Sequence, residues 1–218
     1  MARRKAAEGF QSNKKARKQA KRNQDSRNPR QTMIIACEGS KTEPLYFKAI
    51  FADLKRNHKI AATSLVIAKH QHTNPNGVLD DLLNHPNYQD FEHQWIVIDR
   101  DEERTHGGGH SLEGFNQAIT RAIAKKIKVA YSNPCFEIWY LLHFEYRNTA
   151  MHRDELISKL EADYGYQKNQ LFQQGSVELA ITNAKRLLDS YGNLNPAHDN
   201  PSTKVHELVE LLFNFKST

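Results

Sequence analysis

Four short apolar runs punctuate the first 131 positions of the chain. They fall within QTMIIAC (31–37), TSLVIA (63–68), QWIVI (94–98) and IKVAY (127–131). Each is rich in β-branched or aromatic residues and bounded by polar or turn-forming ones, which predicts buried strands. Between them the apolar positions recur every three or four residues. Leu45, Phe47, Ile50, Phe51 and Leu54 predict a helix over 42–57, with Thr42 as N-cap and Pro44 in its first turn. A short helix is predicted over 77–83, closed by His85–Pro86–Asn87. Leu112, Phe115, Ala118, Ile119, Ala122 and Ile123 predict another, capped by Ser111 and running to Lys126. Strands alternating with helices predict an α/β fold, a parallel Rossmann-like sheet of about four strands flanked by helices.

Beyond residue 131 the pattern is helical. SNPCFEIWYLLHF (132–144) predicts a strongly apolar helix opened by Ser132 or Asn133 and Pro134, and 152–163, 177–191 and 203–213 read as amphipathic helices. The chain is therefore expected to comprise an α/β core over 31–131 with a helical part, 132–218, packed on it.

Charge adds a third segment. The net charge is +6, but residues 1–30 alone hold eleven Lys/Arg against Glu8 and Asp25, leaving a mildly acidic body. With Phe10 its one large apolar residue after Met1, this segment has too little to bury and is expected to be a disordered basic tail. It suits contact with nucleic-acid phosphates, or serves as a solubilising leader. No apolar run approaches the ~18–20 residues of a membrane span, and no apolar stretch follows the basic start as in a secretory signal. Two cysteines, Cys37 and Cys135, form no framework, so a cytoplasmic setting is expected.

The candidate chemistry lies at strand ends. WIVI stops at Asp99–Arg100–Asp101–Glu102–Glu103, and the first strand stops at Glu38–Gly39. In a parallel sheet both ends face one side, where open α/β sheets bind ligands, so Glu38 and the Asp pair are expected to converge. Asp99 and Asp101 share one face of an extended segment and suit a shared Mg²⁺, which polarises a phosphoryl oxygen and acidifies bound water. Glu38 suits a further ligand or a general acid or base. Lys41 and Thr42 follow the Glu-Gly turn. Asn133, Glu137 and His143 lie on the apolar helical segment. Lys168, beside Tyr164 and Tyr166, and Lys204 complete the candidates for substrate binding. A P-loop is excluded because no glycine stands five residues ahead of the Gly39–Ser40–Lys41–Thr42 turn, where Ile34 and its neighbour Ile35 lie. More than two helical turns separate Cys135 from His143, which argues against a nucleophile pair. His70/His72 and His106/His110 lack the cysteines or acids that would complete a zinc site.

The ordered segments CEGSKTEPLYF (37–47), IDRDE (98–102), SNPCFEIWYLLHF (132–144) and NPSTKV (200–205) resemble the RloB-like family, whose Glu-Gly and Asp-x-Asp signatures are in turn similar to the Toprim domain of topoisomerases, primases and nucleases. The resemblance covers residues 31 to the end. It implies a Toprim-like fold and a Mg²⁺- or Mn²⁺-dependent endonuclease acting on DNA or RNA, tRNA included, in a family associated with restriction, anti-phage defence and abortive infection. By that resemblance Glu38 is catalytic, Asp99 and Asp101 bind metal, and Glu103 or its neighbour Glu102 completes the set. The alternative is a nucleic-acid-binding or regulatory subunit working with a separate ATPase, since the chain has no ATP site of its own. A homo-oligomer is compatible with either reading.

Overall fold

The structure, a computed structural model, describes residues 32–57, 65–102 and 109–214. The basic tail, Glu103 and His106 lie outside the described residues. Five strands form one mixed sheet: β1 (Met33–Cys37), β2 (Leu65–Ile67), β3 (His93–Asp99), β4 (Lys128–Asn133) and β5 (Ser202–Thr203), in the order β2-β1-β3-β4-β5. All neighbours are parallel except β4 and β5. Seven helices flank the sheet among the described residues: α1 (Thr42–Arg56), α2 (Pro75–Leu83), α3 (Leu112–Ala124), α4 (Glu137–Leu142), α5 (Arg153–Tyr164), α6 (Val177–Asp189) and α7 (Val205–Phe213).

The strand order dictates the layers. The chain steps from β1 to β2 in one direction and from β2 back past β1 to β3 in the other. Crossovers of one hand then require α1 and α2 on opposite faces. The alternating side chains agree. Met33, Ile35, Trp95 and Val97 join one core with Tyr46, Phe47 and Leu54 of α1 and the buried residues of α4 to α7. Ile34, Ala36, Ile96 and Ile98 join a second core with Val78, Leu79 and Leu82 of α2 and Phe115, Ala118 and Ala122 of α3. Both faces of the parallel strands are thus covered, which is why they read as continuous apolar runs.

Local signals set most boundaries. Asn74 caps α2, accepting from Gly77 N at 2.9 Å with Pro75 as the first helical residue, so α2 begins before the expected Gly77. Ser111 caps α3 through Gly114 N at 3.1 Å, as expected. Thr42 is already helical, and Lys41 holds the cap position without a side-chain bond.

The largest departure is at the start of the helical part. Ser132 and Asn133 finish β4 rather than capping a helix, and α4 is one short segment from Glu137. The cause is non-local. Ser132 pairs with Thr203 and Asn133 with Ser202 across β5, and Arg100 N donates to Ser132 O at 2.7 Å.

Buried area separates core from surface within α3. Phe115 is fully buried against Tyr131, whereas Ile123 is 65% exposed. Phe115→Ala is expected to cost about 3–5 kcal/mol in urea unfolding and Ile123→Ala within about 0.5 kcal/mol of nothing. Equal losses would mean that α3 does not pack on the sheet through this face.

Candidate functional site

The chain reverses its direction across the sheet between β1 and β3, which pair along their length with Cys37 opposite Val97. Ligands of open α/β sheets bind at such a reversal, outside the carboxyl ends of the strands. The next residue of β1, Glu38, and the last of β3, Asp99, meet there. Asp99 N donates to Glu38 Oε2 at 3.1 Å, and Glu38 N donates to Val97 O at 3.0 Å. A cavity of about 410 Å³ opens over this junction. Among the described residues five acids line it: Glu38, Glu43, Asp99, Asp101 and Glu137. Lys41, His110, Arg153 and Lys168 are its basic members.

Each acid is held differently. Glu38 Oε1 is hydrogen-bonded to His110 Nε2. His110 is fixed in turn by its own N–H to Asp101 O at 2.7 Å and by Arg100 Nη1 on its carbonyl at 3.3 Å. Glu43, in the first turn of α1, reaches back to accept Gly39 N at 2.9 Å. Its Oε2 would stand 2.0 Å from a Cβ at Gly39, so a side chain there would displace the Glu43 carboxylate from this bond. Glu137 Oε1 accepts the Tyr166 hydroxyl at 2.8 Å. Asp101 Oδ2 takes Arg153 Nη1. Asp99 is 7% exposed, and its Oδ1 is buried with no hydrogen-bond partner among the described residues.

Burial and crowding raise the proton affinity of Glu43 and Asp99. The Glu43 carboxyl is pushed up to about 7 by burial, against hydrogen bonds that favour its charge, with Glu137 and Glu38 adding repulsion. Asp99 is raised well above the usual carboxylate range by burial first and then by Glu43, Glu38 and Glu137; Arg153 opposes the shift. Cys37 and Cys135 are buried with thiols pushed up, so neither supplies a thiolate nucleophile.

The structure brings Glu38, Asp99, Asp101, Lys41, Thr42, Glu137 and Lys168 to one cavity. Three other candidates lie elsewhere. His143 is buried in the aromatic core, donating Nδ1–H to Trp139 O at 2.8 Å, and burial pushes its pKa down to about 4. Asn133 Nδ2 donates to Pro196 O at 3.3 Å. Lys204 pairs with Glu207 at 3.1 Å. The expected phosphate-binding helix start after β4 is absent too, because α4 is too short and begins only at Glu137. Tyr164 and Tyr166 offer no base-stacking platform. Tyr164 stacks on Phe144 with centroids 4.0 Å apart, and Tyr166 is buried against Phe172 and Tyr140. Glu102 is exposed, and Glu103 lies outside the described residues.

A model of the family of RloB-like proteins matches residues 33–212. The chain belongs to the RloB-like family. No curated protein and no solved structure matches it. Three residues of this RloB-like site escaped the sequence reading. Glu43 was given no role of its own, although Gly39 ahead of it marks a close approach. His110 was weighed only as half of a zinc pair. Arg153 opens α5, where the helix dipole disfavours a cation, and that misfit was its one signal.

Glu43 gives a sign for the pH dependence of stability. Its folded-state pKa, about 7, lies above its ordinary 4.5, so its stabilising share is complete below 4.5 and is lost as the pH rises through 7. Asp99 acts in the same direction. Glu43→Gln keeps an acceptor for Gly39 N and removes the charge. The RloB-like chain carrying it is expected to gain at most on the order of 3 kcal/mol over wild type at pH 8 and little at pH 4.5. Urea melts at both values check this; an unchanged pH slope would refute the assignment.

Proposed function

We propose that this RloB-like protein is a metal-dependent nuclease that hydrolyses phosphodiester bonds at the β1/β3 junction. The reading rests above all on Asp99, whose buried carboxylate oxygen has no hydrogen-bond partner among the described residues and lies with four further acids in one cavity. Crowded carboxylates of raised proton affinity suit a hard divalent cation, which would relieve by charge what protons otherwise relieve. Asp99, Glu38 and Asp101 are the residues that would hold Mg²⁺ or Mn²⁺. In the arrangement described, Glu38 is engaged by His110 and Asp101 by Arg153, and among the described residues no three His, Cys, Asp or Glu side chains are grouped to hold a metal ion. The donor set fits a cation in charge, hardness and burial, but two of its members are held by hydrogen-bond partners and would have to be released to reach it. Such an ion, when bound, polarises a phosphoryl oxygen and lowers the pKa of its water.

The chain's own groups divide the remaining work. His110, bonded through Nε2 to Glu38, supports proton transfer to or from that carboxylate. Lys41 and Lys168 on the cavity wall supply positive charge for a phosphate among acids. Tyr166 holds Glu137 in place. The family resemblance extends the proposal to a Toprim-type reaction and to restriction or anti-phage defence, with DNA, RNA or tRNA as substrate.

The test is cleavage by the full-length chain of DNA, RNA and tRNA with and without Mg²⁺ or Mn²⁺. Wild type is expected to cut at least one substrate only with metal, and Asp99→Asn to fall to background. His110→Gln is expected to lose about 10–100-fold, as for groups that orient a metal ligand. In thermal melts Mn²⁺ is expected to raise the wild-type midpoint and not that of Asp99→Asn. Equal cleavage by wild type and Asp99→Asn, or activity in the presence of chelator, would sink the proposal.

A further inference from the structure

Arg153 lies on the wall of two cavities. One is the acidic cavity over β1 and β3, and the other, of about 240 Å³, is lined by Asp101, Glu102, Pro134, Ala150, Met151, His152, Arg153 and Asn200. Asp101 is the other residue common to both, and its Oδ2 is bonded to Arg153 Nη1, so the ion pair stands at their seam. The Arg153 side chain is 19% exposed, and the Asp101 side chain 10%. The pair is thus partly desolvated but open to an incoming ligand.

Two features make this an unusual place for a structural ion pair. Arg153 is the first residue of α5, where the positive end of the helix opposes a cation. Asp101 also belongs to the acids that would hold a cation under the reading above, and Arg153 covers one of its oxygens. A guanidinium offers a planar fork that matches a phosphate as well as a carboxylate. One side chain thus pairs with a protein carboxylate of the acidic cavity and borders a second cavity on the other side of the same seam.

We infer that Arg153 is a phosphate clamp shared between Asp101 and the substrate. In the ligand-free chain it neutralises Asp101. A phosphodiester arriving from the second cavity takes the guanidinium, and the released Asp101 oxygen becomes available to the cation. Metal and nucleic acid then bind with positive linkage, each raising the affinity for the other by the same factor. The inference rests on the proposed metal-dependent reading and names a residue that reading does not require. Lys41 and Lys168 also line the acidic cavity, but neither is ion-paired with one of its acids among the described residues.

The experiment measures Mn²⁺ affinity of the full-length chain by the spin-resonance signal of free Mn²⁺. It is run alone and with saturating phosphorothioate octanucleotides of DNA and, separately, RNA. For wild type, at least one octamer is expected to tighten Mn²⁺ binding by roughly fivefold or more, a typical size for coupling between sites. Arg153→Gln is expected to bind Mn²⁺ more tightly than wild type without octamer and to gain nothing further with it. Arg153→Lys, which keeps the charge without the fork, is expected to retain part of the linkage and guards against a folding defect in the first variant. If Arg153→Gln binds Mn²⁺ no better than wild type while folded, or keeps the full linkage, the clamp is overturned and the metal-dependent reading stands. If wild type binds no Mn²⁺ and Asp99→Asn cleaves normally, both fall together.

Discussion

The parallel pairing of β1 with β3 is the constraint from which the rest of the site follows. It fixes Cys37 beside Val97, so that Glu38, the first residue past β1, stands one position short of Asp99, the last residue of β3. Asp99 N then donates to Glu38 Oε2, an amide-to-carboxylate bond that binds the two strand exits together. The register is firmly specified, because both faces of these strands are buried and a slip of one residue would turn Met33, Ile35 and Val97 out of one core and into the other. Two acids that repel one another are held close by apolar packing in which neither takes part.

That packing also explains how two more acids join Glu38 and Asp99. Once Glu38 and Asp99 are fixed, α1 must leave β1 over the face that carries Tyr46 and Phe47, and its first turn brings Glu43 in behind Gly39. On the same face β4 ends beside β3, and the chain continues through Cys135 and Phe136 into α4, which delivers Glu137. Neither acid is placed by attraction; both are carried in by helices whose apolar sides have no other place to pack. The resulting electrostatic cost appears in Asp99 and Glu43, which hold protons well above the usual range. A fold selected for stability alone would have little reason to keep such a cluster.

Much of this was legible in the chain. The four parallel strands and most helices followed from apolar periodicity, and the convergence of Glu38 with the Asp pair followed from strand direction alone. What escaped was non-local. Strand β5 is Ser202–Thr203, with no apolar pattern to announce it, and it exists because it pairs with Ser132 and Asn133 some seventy residues away. That pairing kept Ser132 and Asn133 in the sheet, where their composition alone suggested a helix cap. His143 failed as a site residue for a related reason. It follows Glu137 in an apolar run, but α4 turns it toward Trp139, Tyr140 and Tyr46. Arg153 reaches the site from α5, and nothing in its neighbourhood along the sequence points to Asp101, 52 positions earlier.

Charge balance connects these residues to the chemistry. A phosphodiester entering the cavity meets five acids against Lys41, Arg153, Lys168 and His110. Arg153 is committed to Asp101 and His110 to Glu38, so few positive groups are left to receive an anion. At close range in a partly desolvated cavity, like charges repel far more strongly than in water. Phosphate and uncompensated acids are therefore incompatible occupants of one space. Protonation offers one escape, toward which Asp99 and Glu43 are shifted; it removes the carboxylate as a metal ligand and as a base. A divalent cation offers the other, and it preserves both roles while reversing the sign of the field seen by the phosphate. The same crowding thus sets a condition on the proposed reaction: the cation and the anion to be cleaved must enter as partners, each easing the binding of the other.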